Sequence, residues 1–262
     1  MTSVLITGAT GGIGREFARS FGSRGFDLVL VGRNGDTLEE LKGELRKEYA
    51  IDVAAVAADL SKEDGPEEVY EACHRLGISV AVLVNNAGFG DYGPFIDSDL
   101  GKQRTMIDLN CKSLVSLTYL FLQDMKEKGY GRIINVGSIA SFMPGPQMSV
   151  YYATKSFVLS FSMALREELK DTGISVTTLC PGPTRTGFAK QAQATEAQVF
   201  SRLVTRDPQS VAEYGYKLFA EDKAYGVEGF FNKAGALISR HLPLSLSTRI
   251  VGLVQSMTRK KG

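Results

Sequence analysis

Six times along this chain a short run rich in β-branched and aliphatic residues gives way to a longer stretch with helical apolar spacing. The strand-like runs lie near 3–7, 27–31, 52–57, 80–84, 132–136 and 174–179, the helical stretches near 12–24, 36–49, 63–76, 99–128, 150–171 and 208–220, and a last short strand lies near 223–227. A strand that returns parallel to its neighbour needs a crossover of a dozen or more residues, which each helical stretch supplies. The expected fold is therefore α/β: a single doubly wound parallel sheet with helices on both faces. Right-handed crossovers wind such a sheet in two directions from its middle, and a ligand crevice opens at the carboxyl ends of the strands where the winding reverses. At 262 residues the chain suits one large domain over 1–262 and is short for two.

Bulk properties narrow the function classes. A net charge of +1 offers no field for nucleic acid. Three scattered cysteines, Cys73, Cys111 and Cys180, with only His74 and His241, suggest neither a disulfide framework nor a metal site, and point to a reducing compartment. Val4-Leu5-Ile6 already reads as strand, leaving no room for a signal peptide, and no run approaches the ~18 apolar residues of a membrane span. A cytoplasmic location is expected.

Between the first strand and first helix stands Thr7-Gly8-Ala9-Thr10-Gly11-Gly12-Ile13-Gly14. Gly8 permits a tight turn, Gly12 lets backbone approach a pyrophosphate, and Gly14 lets the helix pack close to the strand. The free N–H groups of the helix start attract phosphate. A plain glycine turn is the competing reading, and the strand-turn-helix context argues against it. The second strand ends in Gly32-Arg33-Asn34, where a carboxylate would grip the ribose of NAD. Glycine leaves room there for a 2′-phosphate and Arg33 offers it a charge-assisted contact, so NADP is favoured, with NAD the alternative. Arg33 also fits a solvated surface role. Asp59-Leu60, after the third strand, can bracket an adenine or cap the next helix.

Tyr151 and Lys155 lie four residues apart at the head of an apolar helical stretch, so phenol and ammonium project from one face. A close ammonium favours the phenolate, and bringing a phenol from ~10 toward ~7 takes roughly 4 kcal/mol of differential stabilisation. That would make Tyr151 a proton donor and acceptor near neutral pH. Taken alone, the same spacing occurs on many solvated helices.

With Asn85-Asn86-Ala87-Gly88 after the fourth strand, Ser138 after the fifth, Tyr151-Tyr152-Ala153-Thr154-Lys155 and Pro181-Gly182 after the sixth, the chain resembles the short-chain dehydrogenase/reductase family over residues 3 to about 186. The resemblance implies a Rossmann-like domain with a seven-stranded sheet and a catalytic tetrad of Asn110, Ser138, Tyr151 and Lys155. In such enzymes the Tyr protonates a carbonyl oxygen, the Ser holds it, the Lys binds the nicotinamide ribose and tunes the Tyr, and the Asn helps hold a proton-relaying water. It also implies coenzyme contacts from Asn85, Ala87, Gly88, Pro181, Gly182, Thr184 and Thr186. Many NADP-preferring members carry a basic residue where this chain has Gly11, which leaves Arg33, with help from Arg15, to set the preference. Read singly, Ser138 is a strand-end turn serine and Asn110 a polar residue satisfied within its helix. The implied activity is hydride transfer between NADP(H) and a carbonyl or secondary alcohol. The alternative is a dinucleotide-binding sensor or scaffold without turnover, whose usual mark, loss of the Tyr or Lys, is absent here.

Phe89, Tyr92, Phe95, Phe142, Met143, Pro144 and Phe188 lie in loops beside the reaction centre, so an apolar carbonyl substrate such as a ketoacyl thioester or bulky ketone is expected. Residues 183–206 lack a clear period and read as a substrate lid or an ordinary surface excursion. The stretches near 99–128 and 150–171 are apolar around most of their circumference, which points to a homodimer or homotetramer; coverage by the chain's own C-terminal segment is the alternative. Residues 228–262 form a helical extension ending in Arg259-Lys260-Lys261. It can rest on an anionic membrane or pack on its own domain or a partner.

Overall fold

The inner strands of the sheet are buried on both faces, which accounts for the near-continuous apolar runs in the sequence. A computed structural model of the chain describes residues 3–188, Ala192 and 205–259. Strands β1 (Ser3–Thr7), β2 (Asp27–Gly32), β3 (Val53–Ala57), β4 (Val80–Asn85), β5 (Gly131–Val136), β6 (Ile174–Cys180) and β7 (Tyr225–Val227) form one seven-stranded sheet. Its order is β3-β2-β1-β4-β5-β6-β7, with every pairing parallel. The winding reverses between β1 and β4, at the place expected for a crevice.

The helices are α1 (Gly12–Gly22), α2 (Gly35–Tyr49), α3 (Gly65–Arg75), α4 (Leu100–Ile107), α5 (Ser113–Lys128), α6 (Ser149–Glu168), α7 (Pro208–Ala220), α8 (Phe230–His241) and α9 (Leu244–Arg259). Alternation along β1 splits the core: Val4 and Ile6 face Phe17 and Phe21 of α1, Leu41 of α2 and Val211 of α7, while Leu5 joins Val69 of α3 and Phe121 and Met125 of α5. Phe21 meets Phe26, Tyr216 and Phe219 edge-on at ring separations of 5.3–5.4 Å, tying α1 to α7.

Two features depart from the sequence reading. The stretch near 99–128 is not one helix: a π-helical turn at Asp108–Lys112 separates α4 from α5 and carries Asn110. An inserted residue of this kind re-aims a side chain that regular helix would present elsewhere. The C-terminal extension forms two helices, and α8 packs on the turn at Ile139–Phe142 and on β7, beside the carboxyl ends of the strands.

Candidate active site

The loops that follow β1 to β6 all open on one cleft of about 1000 Å³. Gly8, Thr10, Gly11, Gly12 and Ile13 line it after β1, Arg33 after β2, and Asp59 and Leu60 after β3. Ala87 and Gly88 follow β4, Ser138 follows β5, and Pro181, Gly182, Thr184 and Thr186 follow β6; Tyr151 and Lys155 reach it from α6. Phe89, Tyr92, Met143 and Phe188 line it as well.

Gly8 and Gly12 sit at φ +65° and +52°, a left-handed conformation that favours glycine. A Cβ on Gly14 would stand 2.2 Å from the Gly8 carbonyl oxygen, so Gly14 is where α1 closes on the turn, and it does not line the cleft. Gly11 caps α1 in extended conformation with no side-chain hydrogen bond, and a Cβ there would meet nothing within 4 Å. An uncapped helix start over an open glycine floor fits a pyrophosphate, because its first amides have no partner within the helix.

Asn86, which the motif reading passed over in favour of Asn85, holds this turn to the end of β4. Its Nδ2 donates to the Thr7 carbonyl at 2.9 Å, and its backbone N–H donates to Thr7 Oγ1 at 2.9 Å. Asn85 does not line the cleft. Its Nδ2 donates to Thr118 Oγ1 (3.1 Å) and Asn135 Oδ1 (2.9 Å), in a buried polar chain that continues to Ser162. Asn34 likewise serves the fold, accepting from the Thr37 N–H to cap α2. Arg15 is paired with Glu44 at 2.7 Å and is committed away from the cleft, leaving Arg33 as the basic residue at the end of β2 that lines it. Asp59 accepts from the N–H and hydroxyl of Ser61 (3.1 and 2.7 Å), which hold its carboxyl below the usual range with help from the Arg33 charge.

Ser138 starts a short turn at Ile139–Phe142, its Oγ accepting from the Ala140 N–H at 3.1 Å while its own N–H donates to Ser141 Oγ. Ser141 Oγ in turn donates to the Lys155 carbonyl at 2.7 Å, fixing the serine turn to α6. The Lys155 ammonium is buried and donates to the Val136 carbonyl at 2.8 Å. Burial pulls it down to about 8. Tyr151 is partly buried, with Tyr152 edge-on at 6.1 Å and Phe188 at 5.3 Å. Desolvation pushes its phenol up to about 12, against the opposing hydrogen bond with Ser138. The expected depression toward neutrality is not what burial favours here: Lys155 Nζ lies 6.0 Å from the ring centroid, one of its three N–H groups donates to Val136, and desolvation of the phenol dominates. At neutral pH Tyr151 is the protonated phenol, the form able to give a proton to a carbonyl oxygen.

Asn110 is the one member of the tetrad that does not line the cleft. Buried behind Gly88, it donates to the Phe89 carbonyl (2.9 Å) and Thr154 Oγ1 (3.1 Å) and accepts from the Phe89 N–H (3.1 Å). These bonds join the loop after β4 to α6 one residue before Lys155.

The short chain dehydrogenase family matches residues 2–197. The chain belongs to the short-chain dehydrogenase/reductase family. Members of that family are NAD(P)-dependent dehydrogenases and reductases. Among curated relatives, it is 41% identical to sulfoacetaldehyde reductase 2 of Chromohalobacter salexigens over 187 residues, 71% of this chain and 73% of that protein. It is 37% identical to a very-long-chain 3-oxoacyl-CoA reductase of Coprinopsis cinerea over 176 residues, 66% of this chain. The matched region spans only 51% of that fungal protein. Among solved structures, a short-chain dehydrogenase from Sphingobium yanoikuyae in complex with NADPH superposes with a TM-score of 0.82 at 32% identity, covering 91% of this chain and 92% of that one.

Several expectations for the cleft walls change. Phe95 is 59% exposed and does not line the cleft, and neither do Phe142 and Pro144; Phe142 packs beneath α8. Met148 and Tyr152 line it instead, as do Gly235 and Ser239 of α8 and Ile250, Val251, Val254 and Gln255 of α9. Gln255 Nε2 donates to the Tyr152 hydroxyl at 3.4 Å, so α9 touches the neighbour of Tyr151. The apolar period of the tail was the signal for this wall, but nothing local says which surface it covers. The segment 183–206 is pinned at its stem, where the Arg206 N–H donates to the Pro183 carbonyl and the Arg185 N–H to the Arg206 carbonyl. Ala192 accepts from the Tyr92 N–H; residues 189–191 and 193–204 lie outside the described residues.

Proposed function

We propose that this enzyme reduces the carbonyl of a bulky, largely apolar substrate, with NADPH as its preferred coenzyme and a ketoacyl thioester or ketone as the substrate class. One observation carries the reading: Ser138, Tyr151 and Lys155 converge on the same cleft as the uncapped, glycine-floored start of α1. A nicotinamide coenzyme bound there supplies the hydride. Gly8 to Ile13, Arg33 and Thr186 are the residues that hold it, with Lys155 on its ribose. As negative charge grows on the substrate oxygen, Ser138 stabilises it and Tyr151 delivers the proton, so both act more strongly in the transition state than in the ground state. Asn110 keeps the Phe89 loop and Thr154 in register for that transfer.

The cleft favours a long or bulky substrate over a small one. Its Phe89, Met143, Met148, Phe188 and Val251 walls suit an acyl or ring system, as the name of the fungal relative also suggests. The coenzyme preference rests on Arg33. In assays against a panel of ketones and ketoacyl thioesters, Arg33→Asp is expected to raise KM for NADPH by about tenfold or more while changing KM for NADH little. Equal changes with both coenzymes would remove Arg33 from this role, and no turnover of any carbonyl would sink the reductase reading.

We also infer a homodimer through α5 and α6. Tyr119 and Phe157 remain 65% and 42% exposed, and the described C-terminal helices pack at the cleft instead of over them. A monomeric mass by light scattering contradicts this.

A further inference from the structure

We propose that α8 and α9 form a docking surface for an anionic membrane, placed so that an apolar substrate enters the cleft from the lipid side. From Gly229 to the C-terminus there is no acidic residue, while Lys233, Arg240, Arg249, Arg259, Lys260 and Lys261 are all basic. The charge of this segment is therefore one-sided in a chain whose total is only +1.

The two helices are amphipathic in the opposite sense to a covered surface helix. In α8, Asn232 and Ala236 are buried on the domain side, while Phe230 (78% exposed), Phe231 (65%), Leu237 (60%) and Ile238 (59%) face outward. At 3.6 residues per turn those four fall within an arc of about 120°, with Lys233 and Arg240 along one edge. In α9, Ser247 and Gln255 are buried, and Leu246, Ile250, Leu253 and Val254 form the outward stripe with Arg249 beside it. Long basic side chains flanking an apolar stripe are what an interfacial helix needs. The stripe enters the acyl boundary while the cations flank it; Lys233, over the Tyr214 ring at 5.7 Å, and Arg240, donating to the Tyr225 hydroxyl at 3.2 Å, swing from these contacts to meet the headgroups.

The occupant is argued from this charge and from the cleft. A face with no acidic side chain matches an anionic lipid surface better than a second copy of itself, which would bring like charge against like. Ile250 and Val254 belong both to the exposed stripe and to the lining of the cleft, so the apolar surface runs without interruption into the substrate wall. Among the described residues no helix is long and apolar enough to cross a membrane, and the contact proposed is peripheral.

Co-sedimentation of the full chain with vesicles of phosphatidylcholine plus phosphatidylglycerol, and with phosphatidylcholine alone, tests the proposal. The intact protein is expected to bind the anionic vesicles, and Phe230→Ser/Phe231→Ser/Leu237→Ser to bind them about tenfold or more weakly. A charge variant, Lys233→Glu/Arg249→Glu, is expected to lose the preference for anionic lipid. All five positions are exposed and none lines the cleft, so NADPH binding should match the wild type and thermal melting should change only by the loss of the Lys233 contact with the Tyr214 ring. Failure of the intact protein to sediment with anionic vesicles overturns the proposal, as does undiminished binding by the apolar variant. So does a halving of solution mass in the apolar variant, which would assign the face to a second copy. None of these readouts measures turnover, so a negative result leaves the proposed reductase activity standing.

Discussion

Tyr151→Phe is expected to lower kcat by about a thousandfold while leaving the fold and the KM for NADPH nearly unchanged. The variant removes one oxygen and keeps the ring, so the edge contact with Tyr152 and the packing on Phe188 persist. The cost in stability is about 1 kcal/mol or less, since only the hydrogen bond with Ser138 is lost. What disappears is the proton donor. Among the described residues no His lines the cleft, and Tyr151 is the phenol that stands with Ser138. Steady-state kinetics together with NADPH titration separate the two effects. A variant that keeps more than about a tenth of wild-type kcat places the donor elsewhere.

Lys155→Met is expected to abolish turnover and yet to make the coenzyme-free protein more stable at pH 7, by about 2 kcal/mol. Burial holds the ammonium near 8, well below the ordinary lysine value of 10.5, and a tenfold weaker hold on the proton corresponds to about 1.36 kcal/mol of penalty for the buried charge. Part of that gain is offset, because the Val136 carbonyl loses its donor. The sign can be followed in pH. The folded value lies below the unfolded one, so between about 8 and 10.5 the unfolded chain binds the proton more tightly and wild-type stability rises with pH. The advantage of the Met variant is full below that window and shrinks across it. Urea unfolding at pH 7 and pH 10 measures this. A variant less stable than wild type at pH 7, or an advantage independent of pH, contradicts the account.

The architecture was legible because a parallel sheet writes itself as buried runs at regular intervals, and all seven strands fall within a residue or two of their expected places. The glycine turn was legible for a similar reason: Gly8 and Gly12 answer to their own positive φ, and Gly14 to the Gly8 carbonyl six residues back. What stayed hidden depends on contacts distant in sequence. The Asn85-Asn86 pair closes a strand buried on both sides, where no polar-apolar alternation tells which side chain faces a ligand; β4 pairing sends Asn85 to Asn135 and leaves Asn86 to the turn. Arg15 was a free cation in the sequence until α2 brought Glu44 to it. The upward shift of Tyr151 was equally out of reach, since the four-residue spacing to Lys155 says nothing of how far burial strips water from the phenol. The π-helical turn at Asn110 interrupts a stretch whose apolar pattern reads as continuous.

The most direct test of a proton-donating Tyr151 beside a bound coenzyme follows deuterium from NADPH labelled at its reactive nicotinamide carbon into the product of a ketoacyl thioester or bulky ketone. Deuterium on the carbinol carbon, at a rate that collapses in Tyr151→Phe, is the result the account predicts. Coenzyme oxidised without label reaching the product, or label transferred as fast without the Tyr151 hydroxyl as with it, contradicts it.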